Sequence, residues 1–170
     1  MLRFVPPCLP TKSATPPSGP LWLHEIKHDG FRVIACKDGP QVRLYSRPGN
    51  DLTERFPLIV ETLSRLRCKS CVIDGEAVAC GADGRSNFDF IRYRHHDQAV
   101  FLCRRPAARS TRGSQGNPAV CPVDAGPGIR YNEHIDGDAE DIFRHACKLR
   151  LEGIVSKLRR SPYRSGRSPH

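Results

Sequence analysis

Residues 103–128 cannot contribute to a hydrophobic core, and they separate two parts of the sequence that can. The large apolar residues of that stretch are Val120 and Val123, and it also holds four prolines and four glycines. Such a composition buries too little apolar surface to offset the conformational entropy lost on ordering. The sequence therefore predicts one core built from residues 21–102 and 129–170, with 103–128 disordered.

Residues 1–20 contain six prolines, which predicts an extended lead-in because proline interrupts helices and central strands. After it, hydrophobic periodicity predicts strands at Leu21–Ile26, Phe31–Cys36, Gln41–Ser46, Cys71–Cys80, Gln98–Leu102, Tyr131–Ile135 and Gly153–Lys157, and helices starting at Pro57 and near Asp138. The second helix is expected to bury Ile142, Phe143, Ala146 and Leu149. This pattern predicts an α+β fold of antiparallel sheets packed with helices.

The formal net charge of +9 favours a polyanionic partner, nucleic acid first. The alternative is that the excess charge keeps the protein in solution. Residues 144–170 carry eight Lys or Arg and one acid, Glu152, which fits either phosphate contact or a solvated tail. No apolar run approaches the ~20 residues that cross a membrane, and the first ten residues do not form a secretory signal, so a cytoplasmic protein is expected.

Lys27 is a candidate nucleophile. It ends a predicted strand at a tight turn, with Glu25 two residues before it and Asp29 two residues after it. A lysine attacks only when its amine is unprotonated, which burial or neighbouring cations favour. The alternative is that Lys27 is an exposed lysine on a hairpin, and the residues around it do not exclude this.

Two carboxylates are candidates for the same site. Glu76 lies in the apolar run Val72–Val78, and Glu152 precedes the apolar run Gly153–Val155. Carboxylates in apolar strands are costly unless they are paired or bound to metal, and hard oxygen ligands suit Mg²⁺. We expect Lys27, Glu76 and Glu152 to face one cleft. The sequence has no Walker A motif, so any ATP is held without a P-loop.

Four motifs in register carry a family resemblance. They are Lys27-x-Asp29-Gly30-x-Arg32, Ser46-Arg47-x-x-x-Asp51, Asp74-Gly75-Glu76, and Glu152-Gly153-Ile154-Val155-Ser156-Lys157. Together with the string Ser161–Ser168, they resemble bacterial ATP-dependent DNA ligases, including the ligase part of end-joining repair enzymes. The resemblance covers about residues 5–102 and 129–170.

The resemblance implies a nucleotidyltransferase (ATP-grasp-like) adenylation domain that uses ATP and Mg²⁺ on nicked double-stranded DNA in repair and recombination. Lys27 would form a lysyl-AMP intermediate. The implied nucleotide- and phosphate-binding residues are Glu25, Arg32, Arg47, Glu76 and Lys157, and the implied metal ligands are Glu76 and Glu152. The alternatives are a non-catalytic remnant that binds nucleotide or DNA, and an RNA ligase or capping-type nucleotidyltransferase.

Three departures from the family pattern indicate an impaired enzyme. The adenine-stacking aromatic expected after Phe101-Leu102 is replaced by the start of 103–128, as two compensating frameshifts or a natural insertion would produce. The chain ends before the terminal lysine motif and the oligonucleotide-binding domain of the family. Arg150 stands where related helices end in glycine, at a cost of about 1 kcal/mol if the position is left-handed. We expect this chain to seal nicks poorly or not at all.

Overall fold

The computed structural model describes residues 4–93, 98–104, 126–161 and 163–167. Its strands are β1 (Cys8–Leu9), β2 (Trp22–Lys27), β3 (Phe31–Asp38), β4 (Gln41–Ser46), β5 (Ser70–Val78), β6 (Val100–Cys103), β7 (Ile129–Tyr131), β8 (His134–Ile135), β9 (Gly153–Leu158) and β10 (Gly166–Arg167). Its helices are α1 (Pro57–Ser64), α2 (Phe88–Tyr93) and α3 (Ala139–Lys148), with a 3₁₀ turn at Thr53–Arg55. The α+β class is confirmed. None of the helices in the described ranges is long and apolar enough to cross a membrane.

A five-stranded sheet with the order β4-β3-β5-β6-β7 carries the main core. Alternate residues of its strands point to one face, where Val33, Phe101 and Ile129 are at most 2% exposed. Helix α1 covers that face and contributes Ile59 and Leu63, which are both fully buried. The alternate residues of β3 and β5 face the other way, and that second face presents the charged side chains of the candidate site.

A three-stranded antiparallel sheet with the order β8-β2-β9 carries helix α3 on one side. The helix begins where expected, because the Asp138 side chain accepts hydrogen bonds from two backbone N–H groups of its first turn. Ile142 and Ala146 are buried as expected. The expectation was wrong for Phe143 and Leu149, which are 39% and 53% exposed. The sheet here is three strands wide, so it covers only a narrow stripe of the helix.

The strand expected at Tyr131–Ile135 is two strands in different sheets. β7 pairs with β6 in the larger sheet, whereas β8 pairs with β2 in the smaller one. The chain changes sheets at Asn132, whose backbone N–H donates to the Cys103 carbonyl oxygen at 2.9 Å. The period-2 pattern is the same in both strands, so the sequence does not reveal the change of partner.

The divide at 103–128 is narrower than the composition suggests. Cys103 is fully buried at the end of β6, and the Arg104 side chain forms an ion pair, so both residues belong to the ordered domain. Their apolar and charged partners lie far away in sequence, which is why local composition misplaced them. β7 runs parallel to β6, so the sheet is mixed rather than antiparallel throughout. A parallel pairing needs a connection of about a dozen residues or more, which this stretch provides. Residues 105–125 lie outside the described residues, and the disorder expected there stays a prediction.

The two ends of the described chain meet. Within the proline-rich lead-in, β1 pairs in parallel with β10, and the Tyr163 hydroxyl accepts a hydrogen bond from the Cys8 backbone N–H at 3.0 Å. Near the other end, Arg150 has a φ of +56°, which confirms that a left-handed residue follows α3. Helix α2 has no counterpart among the expected elements, because a helix of six residues presents less than two turns of periodic pattern.

Candidate active site

The candidate nucleophile ends β2 beside a carboxylate. The antiparallel register places Lys27 opposite Gly153, the first residue of β9. Glu152 directly precedes that glycine, and its carboxylate forms an ion pair with the Lys27 ammonium. Both side chains are 40% exposed, so a ligand from solution can reach them. The structure therefore brings together two of the three residues that were expected to share a cleft.

A second ion pair, between the buried Glu25 and the partly exposed Lys157, lies two residues back along β2 on the same face as Lys27. Glu25 has an exposure of 0%, and its carboxylate oxygens accept hydrogen bonds from Lys157 Nζ at 2.6 and 2.7 Å. Burial lowers the pKa of the Lys157 ammonium, and the Glu25 carboxylate opposes that shift. β2 and β9 together thus present two lysines and two carboxylates on one face.

The five-stranded sheet contributes a second charged set. The Arg32 guanidinium donates two hydrogen bonds of 2.5 Å to the two carboxylate oxygens of Asp74. Its Nη2 also reaches the Cys8 carbonyl oxygen at 3.2 Å, and Tyr163 donates its hydroxyl hydrogen to Asp74 at 3.2 Å. Arg32 and Asp74 thus hold the β1–β10 pair against the larger sheet, through Cys8 and Tyr163. Its expected contact with nucleotide stays a prediction.

Glu76 lies on the same face of β5 and is close to the turn that follows Lys27. A Cβ on Gly30 would collide with the backbone of β5 and would stand 3.1 Å from Glu76 Cγ. Glycine at that position therefore lets the turn pack directly against the strand. Glu76 forms an ion pair of 2.9 Å with Arg104. Burial raises the pKa of the Glu76 carboxyl, and the Arg104 guanidinium opposes that shift.

Asn132 links the two sheets and was missed by the sequence reasoning. Its Nδ2 donates to the Ile26 carbonyl oxygen at 3.2 Å and approaches Glu25 Oε2 at 3.4 Å. Its Oδ1 lies 3.2 Å from Nε2 of His28, which follows the candidate nucleophile. Burial lowers the pKa of His28, and the neutral ring can donate this hydrogen bond. No local signal distinguishes Asn132 from a loop residue, because its partners are more than 100 positions away.

Arg47 follows β4, next to the start of β3. The register pairs Ser46 with Val33, so Arg47 continues to the end of the sheet where Arg32 lies. Its side chain is exposed, so it can reach a phosphate beyond the edge of the cleft. The structure thus places Arg47 near the other candidates and does not test its role.

The carboxylates suit a cation that arrives with its ligand better than a resident metal ion. Within the described residues, no three His, Cys, Asp or Glu side chains form a group that could hold a metal. Glu152 is partly exposed and could supply one oxygen ligand, whereas Glu76 would first have to leave Arg104. Mg²⁺ bound through one or two carboxylates and substrate phosphates has this kind of site.

Comparison with protein families gives a match over residues 12–112. The matching family is the ATP dependent DNA ligase domain. This stretch contains three of the four ordered motifs, and the fourth, which begins at Glu152, lies beyond it.

Individual relatives extend the likeness along the chain. The multifunctional non-homologous end joining protein LigD of Pseudomonas aeruginosa is 29% identical over 182 aligned residues, covering 99% of this chain and 21% of LigD. A probable DNA ligase of Streptomyces griseus is 42% identical over 149 residues, covering 84% of this chain and 26% of that protein. The chain thus spans about a fifth to a quarter of the length of these two relatives.

Solved structures show the same fold. The ligase domain of Mycobacterium tuberculosis LigD superposes with a TM-score of 0.73 at 25% identity, covering 96% of this chain and 57% of that one. A mycobacterial DNA ligase D complexed with ATP and MES superposes with a TM-score of 0.68 at 24% identity and the same coverage. These superpositions include both sheets that carry the charged face.

Proposed function

Because the chain belongs to the ATP-dependent DNA ligase domain family, we propose that it transfers AMP from ATP, through Lys27, to the 5′-phosphate of nicked double-stranded DNA. The family membership expected from the ordered motifs is confirmed. The reaction, the DNA substrate, a role in repair and the cytoplasmic location are proposals for this chain.

The proposed reaction has three balanced steps. The unprotonated Lys27 amine attacks the α-phosphorus of ATP, so that a phosphorus–nitrogen bond forms and pyrophosphate leaves. The 5′-phosphate oxygen at the nick then attacks the same phosphorus and frees Lys27. Finally, the 3′-hydroxyl attacks the 5′-phosphate and AMP leaves.

The residues of the cleft divide this work. Glu152 forms an ion pair with the Lys27 ammonium, so it positions the amine at the end of β2. Glu25, two residues before Lys27 on β2, holds the Lys157 ammonium on the same face. From there the positive charge of Lys157 would stabilise the negative charge of the α-phosphate. Positioned charges of this kind supply most of the catalysis in phosphoryl transfer. Mg²⁺, held by Glu152 and Glu76, would neutralise phosphate charge when bound. Glu25, Arg32 and Arg47 are proposed to contact or position the nucleotide and the nick.

One observation carries the proposal. Lys27 is partly exposed, ends its strand beside a carboxylate, and shares one strand face with the Glu25–Lys157 pair. A lysine that served only for solubility would need neither the tight Gly30 turn nor a cation held beside it by a buried carboxylate.

Labelling with [α-³²P]ATP and Mg²⁺ tests the first step. We expect a covalent label that is acid-labile and alkali-stable, as a phosphoramidate is, and that Lys27→Ala abolishes. The control Lys148→Ala removes the same charge from the exposed last turn of α3 and should keep the label. Lack of label on the folded wild-type chain, or label that survives Lys27→Ala, would refute the proposal.

Nicked DNA and a nicked RNA duplex, each presented to the labelled protein, test the substrate. We expect AMP to pass to the 5′-phosphate of the DNA and not to that of the RNA. Transfer to RNA alone would favour the RNA-ligase alternative. The rate at which the nicked DNA is sealed, followed by gel electrophoresis, measures the impairment expected from the sequence, which stays a prediction.

A further inference from the structure

Arg104 is the first residue after β6 and is fixed at both its backbone and its side chain. Its backbone N–H donates to the Asp74 carbonyl oxygen at 3.0 Å, which extends the pairing of β6 with β5 by one position. Its Nη2 donates to Glu76 Oε2 at 2.9 Å. The two side chains are 14% and 13% exposed, so this guanidinium is not a solvated surface charge.

The guanidinium lies on the face of β5 that carries the charged side chains. Glu76 projects from the face of β5 that is opposite the main core, because its neighbour Gly75 packs against the Phe101 ring on the core side. From that position the Arg104 charge acts on the smaller sheet. Burial lowers the pKa of Lys157, and the Arg104 guanidinium lowers it further. Glu76, which holds Arg104, packs beside Gly30 in the turn that follows Lys27, so Arg104 stands near the end of β2 that carries Lys27.

The pair with Glu76 leaves part of the guanidinium unused. In the part of the chain that the structure describes, Arg104 Nε is buried and has no hydrogen-bond acceptor. A buried donor without a partner is destabilising, and an acceptor arriving in the cleft would satisfy it. The guanidinium fork presents parallel N–H donors that match phosphate oxygens. An anionic ligand with several oxygens is the partner that these donors fit.

We propose that Arg104 is a phosphate-binding residue for the nucleotide, and that Glu76 holds its side chain in place until the nucleotide binds. This inference rests on the proposed function and deepens it. When ATP enters, the guanidinium turns from the carboxylate to the phosphate oxygens, and the unpaired Nε gains an acceptor. The other lysines and arginine of the cleft, Lys27, Lys157 and Arg32, are each held by a carboxylate of their own.

The test compares binding of α,β-methylene-ATP, which Lys27 cannot cleave between its α- and β-phosphorus atoms, with binding of adenosine, which has no phosphate. Isothermal titration calorimetry is run on the wild type, Arg104→Gln and Arg104→Lys. Arg104→Gln loses the charged hydrogen bonds to phosphate, so its affinity for α,β-methylene-ATP should fall about ten- to a hundredfold. The affinity for adenosine should change less than about twofold. Arg104→Lys should lose less affinity for α,β-methylene-ATP than Arg104→Gln does, because lysine keeps the positive charge.

Arg144→Gln is the matched control. It also removes an arginine that pairs with carboxylates, but on the exposed side of α3, where the side chain is 55% exposed. Its affinities for both ligands should match those of the wild type. Glu76→Gln/Arg104→Gln removes both charges of the buried pair, so it tests whether an unpaired Glu76 accounts for any loss in the single variant. Thermal melts establish that each variant is folded.

Several outcomes would overturn the inference. Equal losses for the two ligands, or recovery of affinity in the double variant, would make Arg104 a structural partner of Glu76. Unchanged affinity for α,β-methylene-ATP would remove Arg104 from the site, and tighter binding would show that it obstructs the cleft. A wild type that binds no nucleotide would end both this inference and the proposed function. A wild type that binds without labelling would end the proposed reaction alone and leave the role of Arg104 standing if its variant loses affinity.

Discussion

Replacing Lys157 with methionine should destabilise the domain strongly, whatever reaction it performs. The substitution removes the ammonium that holds the fully buried Glu25 carboxylate through hydrogen bonds of 2.6 and 2.7 Å. Methionine keeps the length and the apolar stem of the side chain, so the change is mainly one of charge. Among the residues that the structure describes, the hydrogen bond left to the Glu25 carboxylate is the 3.4 Å contact with Asn132 Nδ2.

The magnitude follows from the complete burial of Glu25, because its carboxylate is the charge left without a partner. Removing one partner of a buried ion pair leaves an uncompensated charge and typically costs about 3–5 kcal/mol. In a domain of this size each kcal/mol lowers the melting temperature by roughly 2–4 °C, so the expected fall is roughly 6–20 °C. Glu25→Gln/Lys157→Met removes both charges and should recover at least half of the loss, since a neutral amide costs less to bury than a carboxylate.

The assay is urea denaturation, followed by the fluorescence of Trp22, the single tryptophan of the chain, which lies on β2 with Glu25. Arg65→Met is the matched control, because it breaks an i,i+4 ion pair with Glu61 on the exposed side of α1. Exposed helix pairs of this kind contribute about 0.3–0.5 kcal/mol.

The reasoning fails if Lys157→Met costs no more than Arg65→Met. It also fails if the effects of Glu25→Gln and Lys157→Met simply add in the double variant, because additivity would mean that the two side chains do not stabilise each other. Either result would show that water reaches the pair in solution.

Two further predictions concern stability. Arg150→Gly should raise the free energy of unfolding by about 1 kcal/mol, because Arg150 has a φ of +56° that glycine adopts without strain. Arg150→Ala keeps the Cβ, so it should not raise the free energy of unfolding in the same urea assay. Equal increases in the two variants would contradict the argument. Burial lowers the pKa of His24, so the folded protein binds its proton less readily than the unfolded chain does, and stability should be lost as the pH falls below the usual histidine value of 6.5. His24→Gln should flatten that loss between about pH 7.5 and 5 in thermal melts, while the exposed control His145→Gln should not; parallel curves for His24→Gln and the wild type would refute it.

Local chemistry was enough to predict most of the longer elements and to single out Lys27 as the candidate nucleophile. The alternation of Val42 and Leu44 predicted β4 at Gln41–Ser46, where the structure has it. The Asp138 cap predicted the start of α3, and the departure from glycine predicted strain at Arg150. Each of these properties depends on a few neighbouring residues, and the sequence displays those neighbours directly. The sequence also led us to expect Lys27 and Glu152 in one cleft, and the structure pairs their side chains.

The tertiary structure decided which charges meet. Glu25 was expected at the nucleotide site, but its pairing with Lys157, 132 positions away, depends on the register of β2 with β9. Arg104 was assigned to an unstructured stretch because its local composition is polar, yet its side chain pairs with Glu76, 28 positions back. Asn132 bridges the sheets through atoms more than 100 positions away. Hydrogen bonds and ion pairs act over a few ångströms in space, so their partners are set by the packing of the sheets and not by separation along the chain.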